Sequence, residues 1–207
     1  MTKDTREYIL EVSLLLFLQK SFKAVTMKEI VAKTGLSKGA FYHYFESKEK
    51  VFEEVVRYYF AAILAGKPME NYKSLSLKSF MKASIEESFL SLDHIEKMNS
   101  NSELPGGLNH YYIIFDAVSQ IPTFREEFNT HNQIELDTWI HVIDNAKKSK
   151  EIKTKISSKT LAQMFMYMGD GYGIQYILLK SNFSEMRTAM KELKKIWSDF
   201  YKLIAND

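Results

Sequence analysis

No cysteine occurs among the 207 residues. That excludes disulfides, thiolate nucleophiles and thiolate metal ligands at once, and it suits a reducing compartment. Only three prolines and eight glycines punctuate the chain. A strand-and-turn fold needs more breakers than that, so the shortage favours long helices. Long apolar runs are also missing. The most apolar stretch, Val12 to Leu18, is interrupted by Ser13 and falls far short of the ~20 residues that cross a bilayer. The opening M-T-K-D-T-R-E-Y is charged and lacks a signal-peptide pattern. These absences lead to the expectation of a soluble, cytoplasmic protein. Catalytic signatures are lacking too: there is no G-x-S-x-G elbow, no Gly-rich phosphate loop and no H-E-x-x-H. His94, His110, His131 and His141 are scattered, with no pair at helical spacing. Asp170 between Gly169 and Gly171 reads as a helix-contact or capping residue. The expectation is a protein that is not an enzyme and uses no metal and no cofactor.

What is present is apolar material and a local excess of lysine. Hydrophobic residues make up 45% and aromatic ones 14% of the chain, enough for a large core without staples. The net charge of +2 is close to neutral, but its distribution is uneven. Lys20, Lys23, Lys28, Lys33, Lys38, Lys48 and Lys50 face only Glu29, Glu46 and Glu49 between positions 20 and 50, seven against three, leaving +4. A basic surface of that kind suits phosphate, because each neutralised phosphate releases counterions.

The same stretch carries the clearest local pattern. Thr26 followed by Glu29 predicts a capping box, with the hydroxyl taking the third amide and the carboxylate reaching back. Ile30 and Val31 give the short helix an apolar side. Gly35 is the residue type that most easily takes the positive φ of a helix end, and Ser37 predicts the N-cap of a second helix. Phe41 and Phe45, four apart, share its inner face, leaving Lys38, Tyr42 and His43 outside. Helix, Gly-containing turn, helix is the pattern of a helix-turn-helix.

S-K-G-A-F-Y-H-Y-F, preceded by T-x-x-E-I and T-G-L and followed by S-K-E-K-V-F from Ser47 to Phe52, resembles the DNA-binding signature of the tetracycline-repressor (TetR) family over roughly Ile9 to Val56. Two details depart from the family's habit: Ser21 stands before Phe22 where glycine is common, and His43-Tyr44 reverses a common Tyr-His order. The resemblance implies an all-α fold, with an N-terminal three-helix DNA-binding domain (1–50) and a larger helical effector-binding and dimerisation domain (51–207). It implies a transcriptional regulator, usually a repressor, that binds palindromic operator DNA as a homodimer with two recognition helices in successive major grooves, about 34–36 Å apart or further, and that is released by a small molecule. Carried onto this sequence, Thr26, Lys28, Ser37, Lys38, Gly39, Ala40, Tyr42, His43 and Lys48 are the DNA-binding candidates. Lys38 and Gly39 lie at a helix start that attracts phosphate, Lys48 offers a further phosphate contact, and Ala40 is able to touch a thymine methyl.

The remaining sequence reads as further helices: Asp4–Phe22, Ser47 to Gly66, Ser74–Met98, Leu108–Ile121, Thr123–Lys148, Ser158–Lys180 and Ser184–Ile204. Asn99–Asn109 reads as a loop and Lys147–Lys155 as a solvated charged connector. Phe80, Phe89, Tyr111, Tyr112, Phe115, Trp139, Phe165 and Tyr167 are the candidate lining of an effector pocket. In the resembled family the last two helices pair with those of a second chain, which makes Met168, Tyr172, Tyr176, Ile196, Trp197 and Phe200 the candidate dimer interface. Three glycines, Gly169, Gly171 and Gly173, lower helix stability by roughly 0.5–1 kcal/mol each against alanine and predict close approach of another helix. The competing class is a helical ligand-binding or scaffold protein without specific DNA binding.

Overall fold

The computed structural model describes residues 4–64, 72–87, 110–179 and 186–206. Among them the chain is all-α: α1 (Thr5–Gln19), α2 (Met27–Thr34), α3 (Lys38–Tyr42), α4 (Lys48–Leu64), α5 (77–87), α6 (His110–Gln120), α7 (Phe124–Lys148), α8 (Ser158–Leu179) and α9 (Met186–Ile204). The one β-type pairing described is an isolated bridge between Ile152 and Ala205. None of the described helices is long and apolar enough to cross a membrane. The expected Asn99–Asn109 loop, the Gly66–Pro68 break and Phe89 lie outside the described residues.

Two compact units emerge. The first holds the described residues 4–64 and 110–125; the second holds 72–87 and 126–206 where described. The whole of α4 therefore packs with the N-terminal helices, and α6 joins them from far along the chain, against α1 and α4.

In the first unit α1 is a core helix. Ile9, Leu10, Leu14, Leu16 and Phe17 are buried, and buried Ser13 satisfies its hydroxyl by donating to the carbonyl of Ile9 at 2.7 Å. Phe17, Phe22 and Phe52 form a ring cluster, with Phe17–Phe52 and Phe22–Phe52 centroids 4.9 and 4.8 Å apart. Ile30 from α2, Phe41 and Phe45 from α3 and its end, and Ile113 and Ala117 from α6 complete the core. Arg6 pairs with Glu54 on α4 and lies 5.5 Å over the ring of Phe45, tying the end of α3 to α1 and α4.

The second unit is built around Trp139. Its ring stacks on Phe165 at 5.1 Å and meets Phe80 and Trp197 edge-on at 4.6 and 5.2 Å. Leu77, Val142, Ile143, Leu161 and Leu193 fill the space around them. The residues 149–156 are not the solvated loop expected from their lysines. Ile152 is buried, the N–H of Lys153 donates to the carbonyl of Ile204 at 2.8 Å, and Lys147 Nζ donates to the carbonyl of Ile156 at 2.6 Å. The segment is a clasp across the C-terminus because its buried Ile152, its backbone groups and the charges of Lys147 and Glu151 all find partners within the unit.

Candidate nucleic-acid interface

The site is assembled by short-range bonds. Thr26 is the N-cap of α2, its Oγ1 accepting the Glu29 N–H at 3.2 Å. The reciprocal half of the expected box is replaced: the Glu29 carboxylate takes the ammonium of Lys20 at 2.6 Å, which ties the end of α1 to the start of α2. A cation is a stronger partner for a carboxylate than a neutral amide. α2 stops at Gly35, whose φ of 68° is left-handed and whose N–H donates to the carbonyl of Ala32 at 3.3 Å. Thr34, buried, donates its hydroxyl to the carbonyl of Val31 at 2.8 Å and so tightens the last turn. Two residues later Ser37 caps α3, accepting the Ala40 N–H at 3.2 Å.

α3 has five residues, and its faces separate sharply. Phe41 and Phe45 are fully buried, 0% and 2% exposed. Ser37, Lys38, Gly39, Ala40, Tyr42 and His43 all lie on the exposed side, as do Thr26 and Lys28. Tyr42 is 42% exposed, at the edge of the buried Phe41 ring and not within the aromatic core. The Lys38 ammonium lies 5.8 Å from the Tyr42 centroid, so cation and ring present one combined surface. Tyr44, next to His43 with ring centroids 5.3 Å apart, is also exposed; its place in the aromatic run gave no sign of this, and it adds a polar ring to the surface.

Lys48 is placed differently from its sequence neighbours. Its Nζ donates to the carbonyls of Phe22 and Val25, both at 2.9 Å, and sits 4.2 Å over the ring of Phe22. Most of its donor capacity is thus occupied by the turn between α1 and α2, so its first role is to clamp that turn. A phosphate role was expected for Lys48 because position alone cannot reveal carbonyls more than twenty residues upstream.

The other described candidate residues divide between the two units. Phe80, Trp139 and Phe165 are buried against one another in the second unit, ring on ring. Tyr111, Tyr112 and Phe115 belong to α6 in the first unit, where Tyr111 and Phe115 stack at 6.0 Å. Tyr167 is 62% exposed on α8. Of the interface candidates, Ile196 is exposed, Met168, Tyr172, Tyr176 and Phe200 are partly buried, and Trp197 is drawn into the unit's own core. A different stripe is open: Met164, Tyr167, Gly171 and Ile174 follow one another along a single face of α8, and Ile196 and Leu203 lie seven apart on α9. The sequence signal for it was spacing, obscured by the equally regular core stripe beside it. Gly169 meets the indole of Trp197, 3.5 Å from where a Cβ would stand, whereas nothing lies within 4 Å of the corresponding point at Gly171. Close helix approach therefore accounts for the first glycine but not, within one chain, for the second.

Residues 9–55 match the family model of bacterial regulatory proteins, tetR family. Over 56 residues the chain is 43% identical to the uncharacterized HTH-type transcriptional regulator YerO of Bacillus subtilis, a match covering 27% of this chain and 19% of that protein. It is 32% identical over 84 residues to the HTH-type transcriptional repressor KstR2 of Mycolicibacterium smegmatis, covering 36% of this chain and 41% of the relative. The chain thus spans less than half the length of these curated relatives. Its fold is similar to that of the TetR family transcriptional regulator PfmR from Thermus thermophilus, with a TM-score of 0.66 at 15% identity over 99% of this chain and 97% of that one.

Proposed function

We propose that the protein is a cytoplasmic transcriptional regulator of the TetR family, a reading supported by the match of residues 9–55 to that family's helix-turn-helix model. It acts as a repressor that binds palindromic operator DNA as a homodimer and leaves it when a small-molecule effector binds. The observation that carries this reading is the division of α3. Phe41 and Phe45 are sunk in the core while Ser37, Lys38, Ala40, Tyr42 and His43 stand outward together.

That surface combines positioning groups and reading groups. Lys38, with Lys28 and Thr26 at the start of α2, serves phosphate; Gly39 lets the backbone come close; Ala40 and His43 meet base edges. Dimerisation is supported by the open apolar stripe on α8 and α9, where Gly171 leaves room for a facing helix. The effector belongs to the second unit, and it acts by preferring one arrangement of the protein over another.

The test is selection of bound sequences from a random duplex library, followed by affinity measurement. A palindromic consensus bound two chains at a time is the expected result. Weak binding of every duplex alike would leave a helical binding protein without a DNA address and overturn the reading.

A further inference from the structure

The turn leading into α2 is gripped from two sides. The N–H of Phe22 donates to Oδ2 of Asp116 on α6 at 2.5 Å, across 94 positions of sequence. The carbonyl of the same residue accepts from Lys48 on α4 at 2.9 Å, and the next carbonyl held by that ammonium is Val25, also at 2.9 Å. Phe22 and Val25 are both buried, 6% and 0% exposed. The Phe22 amide lies beyond the C-cap of α1 at Lys20, outside the helix ladder. A buried amide in that position needs an acceptor from elsewhere, and a carboxylate is a strong one. Val25 is followed at once by Thr26, the cap of α2.

We propose that Asp116 is a positioning residue for DNA recognition. Through the Phe22 amide it fixes the direction in which α2 and α3 leave the turn. The proposal rests on the reading of α3 as the DNA-facing helix. Asp116 is itself half-buried on α6 and makes no part of the outward surface of α3. With its carboxylate gone, the Phe22 peptide keeps only the Lys48 bond, and the reading helices sample more orientations. Binding DNA then costs ordering that the native turn has already supplied, while the number of phosphates contacted stays the same.

The experiment compares full-length wild type, Asp116→Ala and Asp116→Asn on the selected operator at several salt concentrations. It also measures hydrogen exchange at the amides of Phe22, Glu29 and Ala40. Asparagine keeps a carbonyl oxygen at the same reach, so it is the rescue variant. Asp116→Ala is expected to bind about tenfold more weakly, Asp116→Asn close to wild type, and all three with the same salt slope. Exchange at the three amides should quicken in Asp116→Ala while amides in the middle of α1 keep their protection. Wild-type affinity in Asp116→Ala would overturn the proposal, and so would equal damage in both variants with protection lost throughout α1. A wild type that binds no duplex would overturn the DNA reading itself; a binding wild type with an indifferent Asp116→Ala overturns only the positioning role.

Discussion

Glu151 caps a helix that begins 74 residues before it. Its Oε2 accepts the N–H of Leu77 at 3.0 Å and its Oε1 the N–H of Lys78 at 3.0 Å, while the Tyr201 hydroxyl donates to Oε1 at 3.1 Å. The first amides of a helix lack partners within it, and a carboxylate there also meets the positive end of the dipole. One side chain thus joins α5, the clasp after α7 and α9. Replacing Glu151 with alanine should cost about 1–3 kcal/mol. A thermal scan should show this as roughly 2–4 °C per kcal/mol for a chain of this size. An unchanged midpoint would mean that water replaces the carboxylate without loss.

Gly35 sits at φ 68° with nothing within 4 Å of a Cβ position. Any penalty for a side chain there is therefore backbone strain alone. Gly35→Ala should lose about 1–2 kcal/mol, and Gly35→Asn less, since asparagine tolerates the left-handed region. Denaturant midpoints of the two variants check the order; alanine equal to glycine would show that the turn relaxes.

Lys38 and Lys48 should separate cleanly. Lys38→Ala removes an exposed cation beside Tyr42, so it should lower the salt slope of DNA binding by about 1 and leave stability unchanged. Lys48→Ala removes the donor to two carbonyls and should lower stability by about 1–3 kcal/mol, with little change of slope. Anisotropy titrations across salt and melting curves distinguish the two. A full unit of slope lost in Lys48→Ala would restore a phosphate role to that ammonium.

The α8–α9 stripe should hold the dimer. Ile174 is 41% exposed in the single chain, so Ile174→Glu has no core to disturb. It should shift sedimentation to the monomer and weaken operator binding by about tenfold or more, the size of an interface hot spot. Trp197→Ala, by contrast, empties a core site 6% exposed and should lose about 3–5 kcal/mol of stability. If the Ile174→Glu protein remained dimeric, the interface would lie elsewhere.

Glu135 makes stability depend on pH. Burial pushes its carboxyl above the ordinary 4.5, the charge of Asp170 adds to this, and a hydrogen bond from Trp139 works the other way. A raised carboxyl favours the folded state when protonated, so that contribution is complete below 4.5 and is lost as pH rises through the folded value. Glu135→Gln keeps an acceptor for Trp139 and should raise the melting temperature at about pH 7, with the gain fading below 4.5. A variant less stable than wild type at neutral pH would show that the charged form is favoured.

The helix-turn-helix was legible because its caps, its turn and its inward aromatic pair each close within four residues. Thr26 to Glu29, the left-handed Gly35, Ser37 to Ala40, and the inward pair Phe41 and Phe45 each follow from residue type and helical period. Long-range partners have no such signature. Glu29 turned to Lys20 instead of its own helix start, Lys48 reached back to Phe22 and Val25, and Tyr44 came out into solvent beside His43. On α8 and α9 two apolar stripes of equal regularity ran side by side, and only packing decided which one Trp197 joined.

The sequence by itself determined the helices, the caps of α2 and α3 and the outward face of α3, since backbone hydrogen bonds and helical spacing act between near neighbours. Tertiary structure alone decided which charges became clamps and which stayed at the surface. Asp116, Lys48 and Glu151 each serve backbone groups more than twenty residues away. Such bonds form because chain reversal brings otherwise unpaired amides and carbonyls to a charge, and that depends on how the apolar faces pack.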